Sequence, residues 1–358
     1  MKTEKNILIA PLNWGLGHAV RCIPLINAFI RKGVNVIVAS DGDALNLLRA
    51  EFPQLECIEL PSYKIHYKTT NMFLNIAPQV PKLLKAIRLE RRFLDTIISK
   101  RKIHAIISDN RFGIHHPKVP SVFITHQLNI PVPNRLVQAW VTRRNNRYIS
   151  QFDACWVPDF EGEPNLAGNL SHGKQWKEVS YLGLLSRMEY TNEKRLYDVI
   201  AVLSGLEPQR TIFEQQLIEQ ARHLSLNFLI VSGKTDKKEH KQLYPNIEWH
   251  SYMTSKELNK AILQSGIVVA RAGYTTIMDL VKLKAKQVLL VPTPGQTEQE
   301  YLAERFSQNK QFLFQRQKAL NLKKAIEELN KFKGATEYPL DNNYIFEAII
   351  SEFLDSLN

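Results

Sequence analysis

Two turns near the start of the sequence carry side chains whose types suit proton transfer. The turn NWGLGH follows an apolar run and ends in His18, whose pKa near neutrality suits a general base. The turn SDNR follows another apolar run and contains Asp109, which could hold the imidazole of His18 in one tautomer. We therefore predict that His18 acts as a base and that Asp109 orients it. Taken singly, the same residues would also suit a helix N-terminus and a loop cap.

Residues 267–299 combine an apolar run, a glycine turn, a helix, a second apolar run and a polar loop. Free amide N–H groups at the start of such a helix form a ready site for phosphate. Gly273 is expected to let the backbone turn tightly and approach a ligand. The segment therefore predicts a binding site for a phosphorylated and polyhydroxylated ligand. Its candidate binding residues are Gly273, Thr275, Thr276, Asp279, Glu298 and Gln299.

Two other glycine turns follow apolar runs. The turn after residues 198–203 contains Ser204 and Gly205, and Arg210 follows one helical turn later, so Ser204 and Arg210 could bind phosphate oxygens. By itself this is an ordinary strand–loop–helix junction. Gly15 and Gly17 give conformational freedom to the backbone of the turn NWGLGH. The third glycine of a dinucleotide-binding fingerprint is missing there. A nicotinamide site is therefore disfavoured.

Apolar runs of strand type alternate with helix-like segments along the whole chain. Strands separated by helices form right-handed βαβ units and parallel sheets. Two clusters of such units predict an α/β fold of two doubly wound, Rossmann-like parallel-sheet domains. Ligands of such folds bind at the carboxyl ends of the strands, so we expect the domains to face each other across a cleft. The predicted strands are residues 6–12, 35–40, 56–60, 104–109, 121–126, 154–158 and 179–185, then 198–205, 227–233, 248–252, 267–270, 287–292 and 311–314.

The polar stretch 186–195 lacks an apolar period and predicts the joint between the domains. We therefore assign residues 1–186 to the first domain and residues 196–342 to the second. Residues 343–358 have apolar side chains at helical, one-sided spacing. This last helix could pack back on the first domain.

Composition places the protein in a broad class. A chain of 358 residues is long enough for two domains with their own cores, and 44% hydrophobic with 23% charged residues is ordinary for a soluble protein. The cysteines Cys22, Cys57 and Cys155 are widely spaced, which favours reduced thiols over a disulfide framework or a metal cluster. Neither a secretory signal nor a membrane-spanning apolar run is present. We expect a soluble, cytoplasmic protein without a metal ion or cofactor.

The net charge of +12 is concentrated in one region. Residues 62–148 contain 16 Lys and Arg against three acidic residues, an excess of 13 positive charges. Within it, residues 81–102 and 135–147 interleave basic with apolar side chains, as helices that lie on an anionic membrane do. A core-facing apolar stripe with a solvated basic face would give the same pattern. Few aromatic residues are present for stacking, so nucleic acid is disfavoured as the partner.

Taken together, the GxGH turn at 15–18 and the segment RAGYTT…PTPGQTEQ resemble two-domain GT-B nucleotide-sugar glycosyltransferases. The resemblance is strongest to the group of the peptidoglycan lipid-intermediate N-acetylglucosaminyltransferase and the UDP-glycosyltransferases. It covers nearly the whole chain and implies the GT-B fold. By this resemblance His18 is the catalytic base and Asp109 its partner, while Gly17 contributes to donor binding.

The same resemblance gives roles to the residues of the second domain. Gly273, Thr275 and Thr276 would bind the diphosphate, and Asp279 the ribose hydroxyls. Glu298 and Gln299 would hold sugar hydroxyls. Backbone near Tyr252 and Met253 would read uracil. The loop at Ser204 and Gly205 departs from the family pattern, because Leu206 stands where the peptidoglycan enzyme has a phosphate-binding serine. Ser204, Gly205 and Arg210 stay candidate donor-binding residues on their chemistry.

The activity implied is an inverting, metal-independent transfer from a UDP-sugar, such as UDP-N-acetylglucosamine, to an acceptor hydroxyl. The acceptor implied is a lipid-linked or cell-envelope glycan, reached by peripheral contact with the inner face of the plasma membrane. No DxD-type carboxylate cluster is apparent that would demand Mg²⁺. Two other functions remain open on the sequence: a UDP-sugar epimerase of the same fold, and a non-catalytic sugar-nucleotide-binding subunit.

Overall fold

Two sheets, each of seven strands among the described residues, organise the chain. The structure is a computed structural model that describes residues 5–63, 77–132, 134–172, 179–205, 207–234, 237–340 and 343–357. It divides into two compact units. The first unit comprises Met1–Ser186 with Pro339–Asn358, and the second comprises Arg187–Tyr338.

The sheet of the first unit is parallel throughout its described strands. Its order is β3-β2-β1-β4-β5-β6-β7, and the residues of β1 and β4 are almost all fully buried. Continuous apolar runs form these strands because helices cover both faces of the sheet. The strands are β1 (Asn6–Pro11), β2 (Asn35–Ser40), β3 (Glu56–Glu59), β4 (Ala105–Asp109), β5 (Ser121–Ile124), β6 (Ala154–Val157) and β7 (Val179–Tyr181).

The sheet of the second unit has the order β10-β11-β9-β8-β12-β13-β14. Its pairs are parallel except for β10 and β11. Its apolar core lies between β8, β9, β12 and β13 and the covering helices. The strands are β8 (Tyr197–Val202), β9 (Phe228–Val231), β10 (His240–Tyr244), β11 (Ile247–His250), β12 (Ser265–Ala270), β13 (Gln287–Leu290) and β14 (Leu313–Phe314).

Helices connect the strands, and the α/β fold of two doubly wound sheets is confirmed. Among the described residues none of the helices is both long enough and apolar enough to cross a membrane. The helices are α1 (Gly17–Arg31), α2 (Gly42–Glu51), α3 (Val80–Lys100), α4 (Arg135–Ile149), α5 (Gln209–Ala221), α6 (Ser255–Leu263), α7 (Tyr274–Lys282), α8 (Thr297–Gln308), α9 (Leu322–Glu328) and α10 (Asn343–Ser356).

The sequence reasoning missed β10. This strand is HKQLY, with four of its five residues exposed, and it pairs antiparallel with β11 at the edge of the sheet. An exposed edge strand buries no apolar face, so it needs neither alternation nor an apolar run. The second sheet is therefore mixed rather than fully parallel.

The last helix, α10, packs on the first unit. The ring of Phe353 lies 6.4 Å from the ring of Phe29 on α1 and 5.1 Å from that of Trp156 on β6. Lys5 donates a hydrogen bond of 2.5 Å to the carbonyl oxygen of Leu354, and Arg31 forms an ion pair with Glu347. The end of the chain therefore completes the unit in which it begins.

Each sheet reverses its strand order at one point, between β1 and β4 in the first unit and between β8 and β12 in the second. At such a switch point the connections leave the sheet on opposite sides and open a crevice at the carboxyl ends of the strands. The turns that follow these four strands include those singled out in the sequence. The topology therefore gives each unit one preferred place for a ligand.

A buried polar network braces the crevice of the first unit. Arg111 is fully buried, and its guanidinium donates to Glu90 on α3 at 2.6 Å and to Asp41 before α2. Its Nε donates to the carbonyl oxygen of Pro11, and Tyr63 donates to the other oxygen of Glu90 at 2.6 Å. The network links the ends of β1 and β4 to two helices.

We expect Arg111→Leu to reduce the free energy of unfolding of the first unit by about 3–5 kcal/mol, because it leaves two buried carboxylates without their cation. Urea unfolding of the full chain measures the loss. The control is Arg101→Leu, which removes a partly exposed pair with Glu56 and should cost less than about 1 kcal/mol. Equal losses in the two variants would contradict the bracing role.

Candidate functional site

His18 lies in the first turn of α1, directly beyond the carboxyl end of β1. Gly15 has φ of +74°, a left-handed conformation that favours glycine, and this turn brings the chain from the strand into the helix. The side chain of His18 is 18% exposed, so its ring is mostly enclosed but can be reached from solvent. Gly17 is the first residue of the helix.

Asp109 ends β4, next to β1 in the sheet, and its side chain is fully buried. Its Oδ1 lies 2.8 Å from Nδ1 of His18, so the predicted contact between these residues is present. The carboxylate can only accept a hydrogen bond, so this contact requires a proton on Nδ1 of His18, which the guanidinium of Arg21 also approaches to 2.9 Å. That tautomer leaves Nε2 of His18 as the proton acceptor.

Arg21 also grips Asp109, which the sequence reasoning missed. Its guanidinium donates to both carboxylate oxygens, with 2.5 Å between Nε and Oδ2, and its side chain is 2% exposed. Arg21 lies one turn beyond His18 on α1, so the two side chains share a face of the helix. That spacing was the available signal, because an arginine three residues after a candidate base can reach the same carboxylate.

Burial and charge set the proton affinities of this cluster. Burial alone would raise the pKa of Asp109, but Arg21 and His18 together hold it well below its ordinary range. Burial lowers the pKa of His18; Asp109 opposes this effect and Arg21 adds to it, so the net pKa lies below 6.5. His18 is therefore neutral at neutral pH, and Asp109 is ionised.

Three other side chains complete the cluster. The guanidinium of Arg21 lies 3.0 Å from Nδ1 of the buried His126, which gives this histidine a structural contact. The thiol of Cys22 donates to Asp109 at 3.7 Å, and its burial raises its pKa well above the ordinary value. Asn110 adopts φ of +58° after the strand and places its amide 3.4 Å from Nδ1 of His18.

In the second unit, α7 begins at the carboxyl end of β12. Gly273 is its N-cap residue, and the first helical hydrogen bond runs from the amide of Ile277 to the carbonyl of Gly273. The amides of the first turn therefore point away from the helix body, toward the crevice at the switch point. Thr275 and Thr276 are half-buried in this turn, while Asp279 is buried one turn deeper.

The expected reason for a glycine at Gly273 is wrong in part. Its φ is −70°, an ordinary value that any residue adopts, so the turn does not need glycine. A Cβ added there would lie 3.7 Å from Oγ1 of Thr276, an ordinary contact. Gly205, after β8, has φ of +100°, where glycine is required. Ser204 and Gly205 are both exposed.

The loop after β13 is ordered by its own side chains. Gln299 accepts a hydrogen bond of 2.9 Å from the amide of Thr293 and donates one of 2.5 Å to Gln296. Glu298 lies in the first turn of α8, where the helix dipole favours a carboxylate. Oγ1 of Thr293 is buried and has no hydrogen-bond partner among the described residues. A ligand hydroxyl or phosphate could supply one.

The remaining candidates of the second unit lie further from the switch point or are engaged. Arg210 pairs with Glu207 at 2.8 Å and donates to the carbonyl oxygen of Gly233, so its guanidinium is held within the protein. Tyr252 and Met253 follow β11 and are half-buried before α6.

Arg271 was not recognised from the sequence, although it directly follows β12. It is buried, its guanidinium donates to the carbonyl oxygens of Val291, Pro292 and Gln209, and it lies 4.1 Å from the centre of the Phe213 ring. Burial lowers its pKa to about 9. By tying three segments together, Arg271 positions the turns around the start of α7.

A family model matches part of the chain, and solved structures match its fold. Residues 200–349 match the glycosyltransferase family 28 C-terminal domain. No curated protein matches the chain. The calicheamicin glycosyltransferase CalG4 is similar with a TM-score of 0.62 and 12% identity, over 99% of this chain and 98% of that one.

Two further solved structures are also similar to the chain. MurG of Acinetobacter baumannii has a TM-score of 0.54 at 11% identity, over 99% of each chain. LpCGTa, solved in complex with UDP, has a TM-score of 0.58 at 13% identity, over 99% of this chain and 96% of that one. At identities this low the solved structures show the fold alone. Residues 200–349 thus match the family model of the family 28 domain, and the chain has the GT-B fold along its whole length.

Proposed function

We propose that this glycosyltransferase moves a sugar from a UDP-sugar to a hydroxyl of a lipid-linked or cell-envelope glycan, with inversion and without a metal ion. The observation that carries the proposal is the contact of His18 with Asp109 at the switch point of the first sheet. A neutral imidazole whose Nδ1–H is held by a carboxylate has its Nε2 free to take a proton.

The proposed reaction is a direct displacement at the anomeric carbon of the donor sugar. Nε2 of His18 takes the proton of the acceptor hydroxyl, and the oxygen attacks the anomeric carbon from the face opposite the UDP group. The bond from this carbon to the diphosphate oxygen breaks, and the configuration inverts. Asp109 then stabilises the imidazolium, as an orienting carboxylate does.

Negative charge grows on the UDP leaving group as this bond breaks. The first-turn amides of α7 are the groups we propose to receive it, with the hydroxyls of Thr275 and Thr276 beside them. Fixed donors of this kind contribute about 3–4 kcal/mol each to lowering a barrier, which is why no metal ion is required by the proposal. Asp279 would bind the ribose and Glu298 with Gln299 the sugar hydroxyls.

UDP is the proposed nucleotide because the resemblance is to UDP-dependent enzymes, and LpCGTa was solved with UDP. Among UDP-sugars we propose UDP-N-acetylglucosamine, because the sequence resembles the peptidoglycan lipid-intermediate N-acetylglucosaminyltransferase. Glycosyl transfer is favoured over epimerisation because the family model is that of a glycosyltransferase.

The solvent face of α4 supports a membrane-linked acceptor. Leu136 and Trp140 are 83% and 66% exposed, and Arg143 and Arg147 follow on the same face of the helix, also exposed. On α3, Leu89 and Phe93 are exposed among basic side chains. We define Leu136, Trp140, Arg143 and Arg147 as the α4 patch and propose that it rests on an anionic membrane. Residues 64–76 of the basic region lie outside the described residues.

We expect UDP to raise the melting temperature of both the wild type and His18→Ala, because the base does not bind the nucleotide. With UDP-sugar and acceptor, His18→Ala should release UDP about 10²–10⁴-fold more slowly. The exposed His223 on the second unit gives the control, His223→Ala, with full activity expected. Full activity in His18→Ala would remove His18 as the base, and absence of stabilisation by UDP would overturn the proposed donor.

The pH dependence of kcat/KM should report the balance of charges on His18. Because the base must be neutral and its pKa lies below 6.5, the wild-type rate should fall only in acid below that value. Arg21→Gln should move this fall to higher pH, since Arg21 lowers the pKa of His18, and Asp109→Asn should move it to lower pH. Arg31→Gln, an exposed change on the same helix, is the control. An unmoved acid limb in both site variants would contradict the assignment.

Vesicle binding tests the α4 patch. The wild type should bind vesicles containing phosphatidylglycerol more tightly than vesicles of phosphatidylcholine alone. Arg143→Ala and Arg147→Ala should each weaken this binding about fivefold, from roughly 1 kcal/mol per basic residue near an anionic surface. Trp140→Ser should also weaken it, whereas Arg316→Ala on the second unit should not. Equal binding to both kinds of vesicle would contradict a role for the patch.

A further inference from the structure

The β10–β11 edge of the second sheet brings together two histidines and a glutamate that the reaction does not use. His240 and His250 are directly opposite each other in the antiparallel register, and Glu248 precedes His250 by two residues on the same face. The two imidazole rings stack with their centres 4.4 Å apart at an angle of 24°. The three side chains therefore converge above one face of the strand pair.

The polar atoms of this group point to a common centre. Nε2 of His250 lies 2.8 Å from Oε1 of Glu248, and Nε2 of His240 lies 3.3 Å from the same oxygen. One ligand atom from each residue lies within 4.8 Å of the other two. Three ligands of a tetrahedral Zn²⁺ ion lie roughly 3.3 Å apart, given bond lengths of about 2.0–2.1 Å. Small side-chain rotations would therefore bring the three atoms around one ion.

Tyr197, at the start of β8, holds the glutamate in place. Its hydroxyl donates a hydrogen bond of 2.9 Å to Oε2 of Glu248, which leaves Oε1 directed at the histidines. Burial and the neighbouring carboxylate raise the pKa of Tyr197 to about 12, so it remains a donor. Second partners of this kind orient the ligands of metal sites.

The lysines beside the site are paired with carboxylates, and a neighbouring cavity leaves room for water. The nearby Lys238 pairs with Glu257 at 2.7 Å, and Lys241 pairs with Glu239 at 2.7 Å. A cavity of about 270 Å³ adjoins the histidines, lined by Lys238, Glu239, His240, His250, Met253 and Glu257. A fourth ligand position can therefore be filled by water.

We propose that His240, Glu248 and His250 bind one divalent transition-metal ion, with Zn²⁺ as the expected ion. Two imidazoles and one carboxylate are a ligand set that Zn²⁺ takes with a water molecule in the fourth position. The ion clamps the edge strand β10 to β11, in the unit that does not contain the His18 cluster. It takes no part in the proposed transfer.

The test measures Zn²⁺ binding to the full chain, free of any affinity tag and stripped with a chelator, by competition with a chromophoric chelator at neutral pH. The wild type should bind one Zn²⁺ that the variant His240→Ala with His250→Ala does not bind. Glu248→Gln should bind it at least tenfold more weakly, and Tyr197→Phe about tenfold more weakly, as loss of an outer partner does. Added Zn²⁺ should raise the melting temperature of the wild type but not that of the variant His240→Ala with His250→Ala.

His223→Ala is the matched control, since it removes one exposed histidine of the same unit away from the site and should bind Zn²⁺ as the wild type does. His240 is 60% exposed on an edge strand, so its replacement leaves the core untouched. Absence of stoichiometric Zn²⁺ binding by the wild type would overturn the proposal. Unchanged binding by the double variant would overturn it equally, by placing the ion elsewhere.

Discussion

The buried contact between Arg21 and Asp109 is the interaction on which the first unit's chemistry depends. A carboxylate with no exposure would be costly to ionise alone, and the bidentate guanidinium makes the anion stable. The same cation sits close to His18 and lowers its affinity for a proton. One arginine thus keeps the carboxylate of Asp109 charged and the imidazole of His18 neutral.

The two units share one feature of sheet topology but place different chemical groups at it. In each, the strand order reverses once, and polar turns leave the sheet at that point. The first unit places an imidazole there, on the first turn of α1, and the second places the first turn of α7. Buried arginines brace both crevices, Arg111 in the first unit and Arg271 in the second, by binding carboxylates in one case and carbonyl oxygens in the other.

The sequence was most informative where strands are buried. Continuous apolar runs located the parallel strands, and the ends of those runs located His18 and Asp109, because a sheet brings such ends to one edge. Arg21, Arg111 and Arg271 escaped notice in their roles because a buried arginine is defined by partners distant in sequence. The predicted need for glycine at Gly273 was wrong, because the residue type suggested a left-handed backbone conformation that Gly273 does not adopt.

Strand β10 was missed because its polar, exposed residues carry no periodic signal. Its antiparallel register is what sets His240 against His250, so the proposed metal site could not be read from the spacing of ligands along the chain. The sequence therefore predicted the fold class well, and predicted least where main-chain hydrogen bonds alone place the side chains.

The closing helix α10 has a consequence for how the protein is made. The first unit is built from both ends of the chain, whereas the second is continuous from Arg187 to Tyr338. A ribosome delivers the sheet of the first unit before the second unit, yet the helix whose Phe353 covers Phe29 and Trp156 emerges after the second unit. Domains fold as units during synthesis, so the second unit can fold while the first still lacks a part of its cover. Of the two units, the one whose translation begins first is then completed after the other.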